Sequence, residues 1–231
     1  MRDLFLLRSD VVFLNHGSFG ATPRSVFEVY QRWQRRLERQ PVLFLSREIG
    51  DHMAEARGVL AKSLGTSADD LAFITNATFG VNVIARSLDL GPGDEVLTSD
   101  HEYGACENVW EFIQMKTGAK LVRVSIPNPI PTPEEVADLI WDAVTPRTKA
   151  IFISHISSPT AVQLPVDMIC REARQAGIVT IIDGAHAPGQ LPLDLKSTDP
   201  DFYLGNCHKW MLAPKGAGFL HARRDVQRLL E

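Results

Sequence analysis

The chain has 231 residues, of which 45% are hydrophobic and 23% charged, enough to bury a substantial core in one large domain or a domain and a half. A net charge of −4 and a pI near 6.0 leave no basic surface for nucleic acid or an anionic membrane, and the aromatic residues are not interleaved with Lys and Arg as single-strand binding needs. Cys106, Cys170 and Cys207 are odd in number, widely spaced and without metal-ligand spacing, which points to a reduced, cytoplasmic protein.

In chain order, MRDLFLLRSD places Arg8 and Asp10 straight after a short apolar patch, a poor signal peptide, and no apolar run approaches the roughly 20 residues of a membrane span. Two amphipathic helices are expected at 24–39 and 52–64, joined through 40–50. The first carries Arg32, Arg35, Arg36, Glu38 and Arg39, which read as a solvated face.

From residue 71 onward strand and helix patterns alternate. Short apolar runs bounded by Gly, Pro, Asp or Ser predict strands at 71–74, 95–98, 120–124, 150–156, 179–183, 202–205 and 218–222. Helical stretches lie between them at 80–88, 104–117, 133–144 and 165–176, with Pro133 and Pro165 suited to first turns and Gly177 to a C-terminal cap. This alternation means an α/β domain with a mostly parallel sheet, whose ligands bind beyond the carboxyl ends of the strands.

Five polar strand ends follow. Asp183, in Asp183-Gly184-Ala185-His186, ends an apolar strand where burial is costly without a cationic partner. A protonated pyridine nitrogen is such a partner, and His186 is near enough to reach the ring's phenolate oxygen; alone, each residue is equally a turn or hydrogen-bonding residue. Lys209 follows the 202–205 strand in Asn206-Cys207-His208-Lys209-Trp210, with Met211, Leu212 and a Gly-rich turn behind it. Such an enclosed lysine loses its proton more readily than a surface one, as a Schiff-base amine requires. Thr75-Asn76-Ala77-Thr78-Phe79-Gly80 offers N–H groups and hydroxyls at a helix start for a phosphate monoester, though a capped helix explains it as well. Asp100-His101-Glu102-Tyr103-Gly104 places flat side chains for stacking, and Ser154-His155-Ile156-Ser157-Ser158-Pro159-Thr160 supplies hydroxyls. Neither a Walker loop nor GxGxxG is present, which argues against a nucleotide-binding protein.

These segments resemble the class V aminotransferase family, the cysteine-desulfurase-like branch of type I pyridoxal-phosphate enzymes. The matching pieces are LNHGSFGATP at 14–23, TNATFGVN at 75–82, DHEYG at 100–104, SHISSPT at 154–160, DGAHAP at 183–188 and HKWMLAPKGAG at 208–218, and their wording is most similar to the isopenicillin N epimerase-like subgroup. The resemblance implies a three-layer α/β/α large domain with a mostly parallel seven-stranded sheet at 51–231, and an N-terminal segment and helix bordering the active site at 1–50. It implies pyridoxal 5′-phosphate on Lys209, with Asp183 on the pyridinium and His186 on the ring hydroxyl. The phosphate would be bound by Ala77 (backbone), Thr78 and His208. His101 or Tyr103 would stack on the ring.

Two departures bear on these roles. Asn206-Cys207 replaces the usual Ser-Gly before His-Lys, so Asn206 becomes the candidate phosphate donor, and Ser158 stands where Asn is common near the ring. The family continues into a small C-terminal domain bearing a carboxylate-binding Arg, so a chain stopping at Glu231 is expected to be a fragment lacking that domain, and the full-length protein is expected to be a homodimer. The implied activity is chemistry at Cα of an amino-acid-like substrate. Epimerisation, with Lys209 as base and His101 or Tyr103 on the far face, is one outcome; carbon–sulfur lyase chemistry is another; a catalytically incompetent cofactor-binding domain is the third reading.

Overall fold

The computed structural model describes residues 1–230. Seven strands form one sheet: β1 (Leu71–Ile74), β2 (Glu95–Ser99), β3 (Lys120–Val124), β4 (Thr148–Ser154), β5 (Val179–Asp183), β6 (Phe202–Asn206) and β7 (Gly218–Ala222). Their spatial order is β1-β7-β6-β5-β4-β2-β3. Neighbours from β3 across to β6 are parallel, and β7 runs antiparallel to both β6 and β1. The reversal follows from the connection. Residues 207–217 form a turn with no helix, too short to carry the chain back for another parallel strand.

Alternation along each strand builds two cores. Leu97, Ile151, Ile153, Ile182 and Tyr203 face the side covered by helices Ile49–Ser63, Pro133–Asp142 and Val166–Ala176. Val96, Ala150, Phe152, Ile181, Phe202 and Leu204 face helices Ala77–Ser87 and Gly104–Thr117. Both faces are covered, which is why the central strands read as continuous apolar runs. The expected α/β/α layering with a mostly parallel seven-stranded sheet is the observed one.

Local chemistry moves several boundaries. The helix expected at 80–88 is Ala77–Ser87, because the Asn76 side chain accepts from Phe79 N–H at 2.8 Å and caps it early. The strand expected at 150–156 is Thr148–Ser154: His155 N–H still donates to the Asp183 carbonyl of β5, but Ile156 pairs with Gln163 instead and the Ser157 N–H turns back to the Val162 carbonyl. Pro133 does open its helix, inside a Thr132–Glu135 capping box, whereas Pro165 stands one residue outside its helix. Gly177 caps as expected, with φ +69°. Residues 41–50 are helical: after the break at Gln40, Pro41–Leu43 leads through a π-helical turn, Phe44–Glu48, into Ile49–Ser63.

Candidate active site

Parallel register brings three strand ends to one edge. Ser154 of β4 pairs with Asp183 of β5, and Asp183 with Leu204 of β6, two residues before Asn206. There a small cleft opens, lined by Ala77, Thr78, Tyr103, Ser154, Ile156, Ser158, Asp183, Ala185, His186, Asn206 and Lys209.

Asp183 is 3% exposed. Its Oδ1 accepts from the Ala185 N–H at 2.9 Å and its Oδ2 from the Cys106 thiol at 3.6 Å, and neither partner is a cation. Burial pushes its pKa up, opposed by the Ala185 N–H, the Lys209 charge and the thiol. Behind it lies a second buried acid. Glu102 accepts from Ser154 Oγ at 2.5 Å and Ser99 Oγ at 2.6 Å, and burial, with a contribution from the Asp183 charge, raises it to about 7. Cys106 is buried against both carboxyls, which keeps it a thiol.

Lys209 reaches the cleft from the turn after β6. That turn is held by Ala213 N–H to the Cys207 carbonyl and His208 N–H to the Ala217 carbonyl, and Leu212 adopts φ +61° within it. Lys209 Nζ lies 3.1 Å from His186 Nε2, and Trp210 Nε1–H donates to His186 Nδ1 at 3.3 Å. Burial lowers the lysine pKa, with Asp183 and Cys106 pulling the other way. Burial, the larger cause, holds His186 down to about 4, so its ring is neutral. Gly20 closes this turn from the N-terminal side: with φ +68°, any Cβ there would stand 2.0 Å from the His208 carbonyl oxygen.

The anion-binding end is more occupied than its sequence implies. The Ala77 N–H already donates to Asn206 Oδ1 at 2.9 Å, bracing the helix start against β6. Asn206 and Thr78 both line the cleft, so Asn206 Nδ2 and the Thr78 hydroxyl are the candidate donors for an anion there. The His208 ring turns away, Nδ1–H donating to the Ala217 carbonyl at 2.9 Å, and the residue is not part of the cleft wall. The two stacking candidates also separate. Tyr103 lines the cleft and is 47% exposed. The His101 ring nitrogens instead contact Thr160 Oγ1 at 3.0 Å and the Ile126 carbonyl at 3.2 Å.

Glu102, Cys106 and Trp210 carry no assigned role in the sequence-level picture, although each lies within a few residues of one that does. The first is fixed by Ser99, three residues before it, and by Ser154 from β4. The other two depend on packing between elements distant in sequence.

The aminotransferase class-V profile matches residues 19–231. The isopenicillin N epimerase of Streptomyces clavuligerus is 43% identical over 95% of this chain and 55% of its own length. A putative L-cysteine desulfhydrase of Oryza sativa subsp. japonica is 29% identical over 93% of this chain and 48% of its own length. The chain thus spans about half the length of these curated relatives. Among solved structures, a C-DES mutant with glycine covalently linked to its PLP cofactor superposes with a TM-score of 0.87 at 22% identity, over 96% of this chain and 59% of the other. It shares the fold.

Proposed function

Because the chain belongs to the aminotransferase class-V family, we propose that it holds pyridoxal 5′-phosphate on Lys209 and acts at Cα of an amino-acid-like substrate, in the manner of isopenicillin N epimerase. The observation that carries this reading is a buried carboxyl with no cation of its own, Asp183, facing an amine of lowered pKa across one cleft. The residues fit the cofactor. A pyridinium nitrogen supplies the cation Asp183 lacks, Thr78 and Asn206 offer donors to a phosphate, and Tyr103 offers a ring face.

When bound, the cofactor supplies an electron sink that acidifies Cα–H. Asp183 then keeps the ring nitrogen protonated. Lys209 Nζ would hold the cofactor and, as an uncharged amine, would be placed to move a Cα proton. Epimerisation needs a proton carrier on the opposite side. The Tyr103 hydroxyl is the candidate, because both His101 nitrogens are engaged elsewhere.

A carbon–sulfur lyase is the second reading, favoured by the 29% identity to a desulfhydrase. A persulfide-forming variant of it gains no support from Cys106, Cys170 or Cys207, all buried and with raised thiol pKa values. The free cysteines fit a cytoplasmic location, and no helix among the described residues is long and apolar enough to cross a membrane. A homodimer is part of the proposal. Trp33, Met53 and Phe73, each 37–43% exposed, line an apolar groove that a second chain would cover.

The test is reconstitution. The purified chain mixed with pyridoxal phosphate should develop a visible absorption band that borohydride bleaches, leaving a reduced adduct on the Lys209 peptide. Lys209→Ala should give neither; a full band in that variant sinks the reading. Supplying a β-thiol amino acid and a peptide-like amino acid to the loaded protein then separates lyase from epimerase.

A further inference from the structure

We propose that Trp210 is a positioning residue: its indole N–H fixes the proton of His186 on Nε2 and so holds Lys209 as an uncharged amine. The inference rests on the assignment of Lys209 as the amine that takes the cofactor, and concerns how it is kept ready.

The argument is one of donors and acceptors. An indole N–H can only donate, so His186 Nδ1, 3.3 Å from Trp210 Nε1, must accept and bear no proton. A neutral imidazole then carries its proton on Nε2. That N–H points at Lys209 Nζ, 3.1 Å away. An amine with a lone pair can accept it, whereas an ammonium presents only hydrogens, so two donors would face one another. Protonating Lys209 therefore breaks one of two contacts. Either the His186–Lys209 bond is lost, or the imidazole moves its proton to Nδ1 and the indole N–H loses its acceptor.

Other groups around Lys209 act in both directions. Asp183 from β5 and Cys106 from the Gly104–Thr117 helix favour the ammonium, and burial opposes it. His208, the preceding residue, is itself held toward its neutral form, with Lys215 further along the same loop. The hydrogen-bond chain is thus the element that depends on orientation rather than charge.

The N-terminal motif at 14–23 finds its use here. An ideal Cβ on Gly17 would lie 3.4 Å from both His186 Cε1 and Trp210 Cζ2, and Gly20 packs on the carbonyls of His208 and Lys209. The His16 ring lies 6.0 Å from the indole, centroid to centroid. The segment thus packs directly against both members of the relay.

The experiment uses the cofactor-free chain. Acetic anhydride labelling of each lysine peptide, quantified by mass spectrometry across pH, reads the midpoint at which Lys209 becomes nucleophilic, with exposed Lys149 as internal reference. Trp210→Phe keeps the ring and removes the donor. The Lys209 midpoint should rise by about 0.7 pH unit, roughly a fivefold loss of reactive amine at neutral pH, the size of one neutral hydrogen bond. In a His186→Ala background the same substitution should move nothing, whereas a packing role would persist there. An unchanged midpoint in Trp210→Phe, or an equal shift in both backgrounds, overturns the proposal. Should Trp210→Phe fail to fold, nitrogen-15 NMR of the unmutated chain decides: a His186 proton on Nδ1 rejects the relay. Neither readout involves pyridoxal phosphate, so failure of reconstitution and failure of the relay are told apart.

Discussion

Asp183 and Asp201 border neighbouring strands, at opposite ends of the sheet, and both are buried, 3% and 6% exposed. Burial pushes both carboxyls toward the protonated form. Their partners differ. Asp201 Oδ2 accepts from Thr180 N–H at 2.7 Å and its hydroxyl at 3.0 Å, while Oδ1 meets Arg223 at 2.6 Å and Arg174 at 3.9 Å. Asp183 has one backbone N–H and one thiol. A carboxyl that serves the fold is completed by the chain itself, whereas one that serves a ligand is left without its counter-charge, and the fold carries the cost.

The comparison can be broken by mutation. Asp201→Ala leaves the buried Thr180 N–H without its acceptor, while Arg223 and Arg174 keep Asp225 and Asp199, and should lose about 2–3 kcal/mol in urea unfolding; a loss under 1 kcal/mol would show that the network is not structural. Glu102→Gln tests the acid behind Asp183. The folded pKa of Glu102, about 7, lies above its unfolded value of 4.5, so its contribution is full below pH 4.5 and fades as pH rises through 7. The Gln variant should lack that decline, with a relative gain of up to about 3 kcal/mol by pH 8, and parallel stability–pH curves for the two proteins would refute it.

Asp183→Asn should leave unfolding stability within about 1 kcal/mol of the original, or raise it, because an uncompensated buried charge disappears. The same variant should weaken pyridoxal phosphate retention on dialysis, and a clear loss of stability instead would place Asp183 with Asp201. The smallest effect is expected at Cys106. Cys106→Ala removes a weak donor and a small volume, for about 1 kcal/mol, and should raise the Asp183 carboxyl further, readable as a carboxyl stretch shift by infrared spectroscopy. No spectral change there would show that the thiol does not hold the acid.

The strands were legible because both faces of the sheet are buried, which turns each into an apolar run ending in a polar residue; Ile181, Ile182 and Asp183 are one such case. Gly177 and Pro133 were legible as local signals that need no tertiary partner. Residues 41–50 were not recognised as helix, since a π-helical turn shifts the period on which such a reading depends. At the site, Asp183, His186 and Lys209 could be named from residue type and place. Which of His101 and Tyr103 faces the cleft could not, because it depends on Ile126 and Thr160 capturing the imidazole.

By itself, then, the order of residues determined the alternating elements, the layered fold and the set of polar strand ends, because burial and backbone chemistry act over a few residues at a time. Tertiary structure alone decided the contact of Lys209 with His186, the diversion of the Ala77 N–H to Asn206 and the stacking of Glu102 behind Asp183. Each of these joins residues from separate elements, and only the finished sheet brings them within hydrogen-bonding or Coulombic reach.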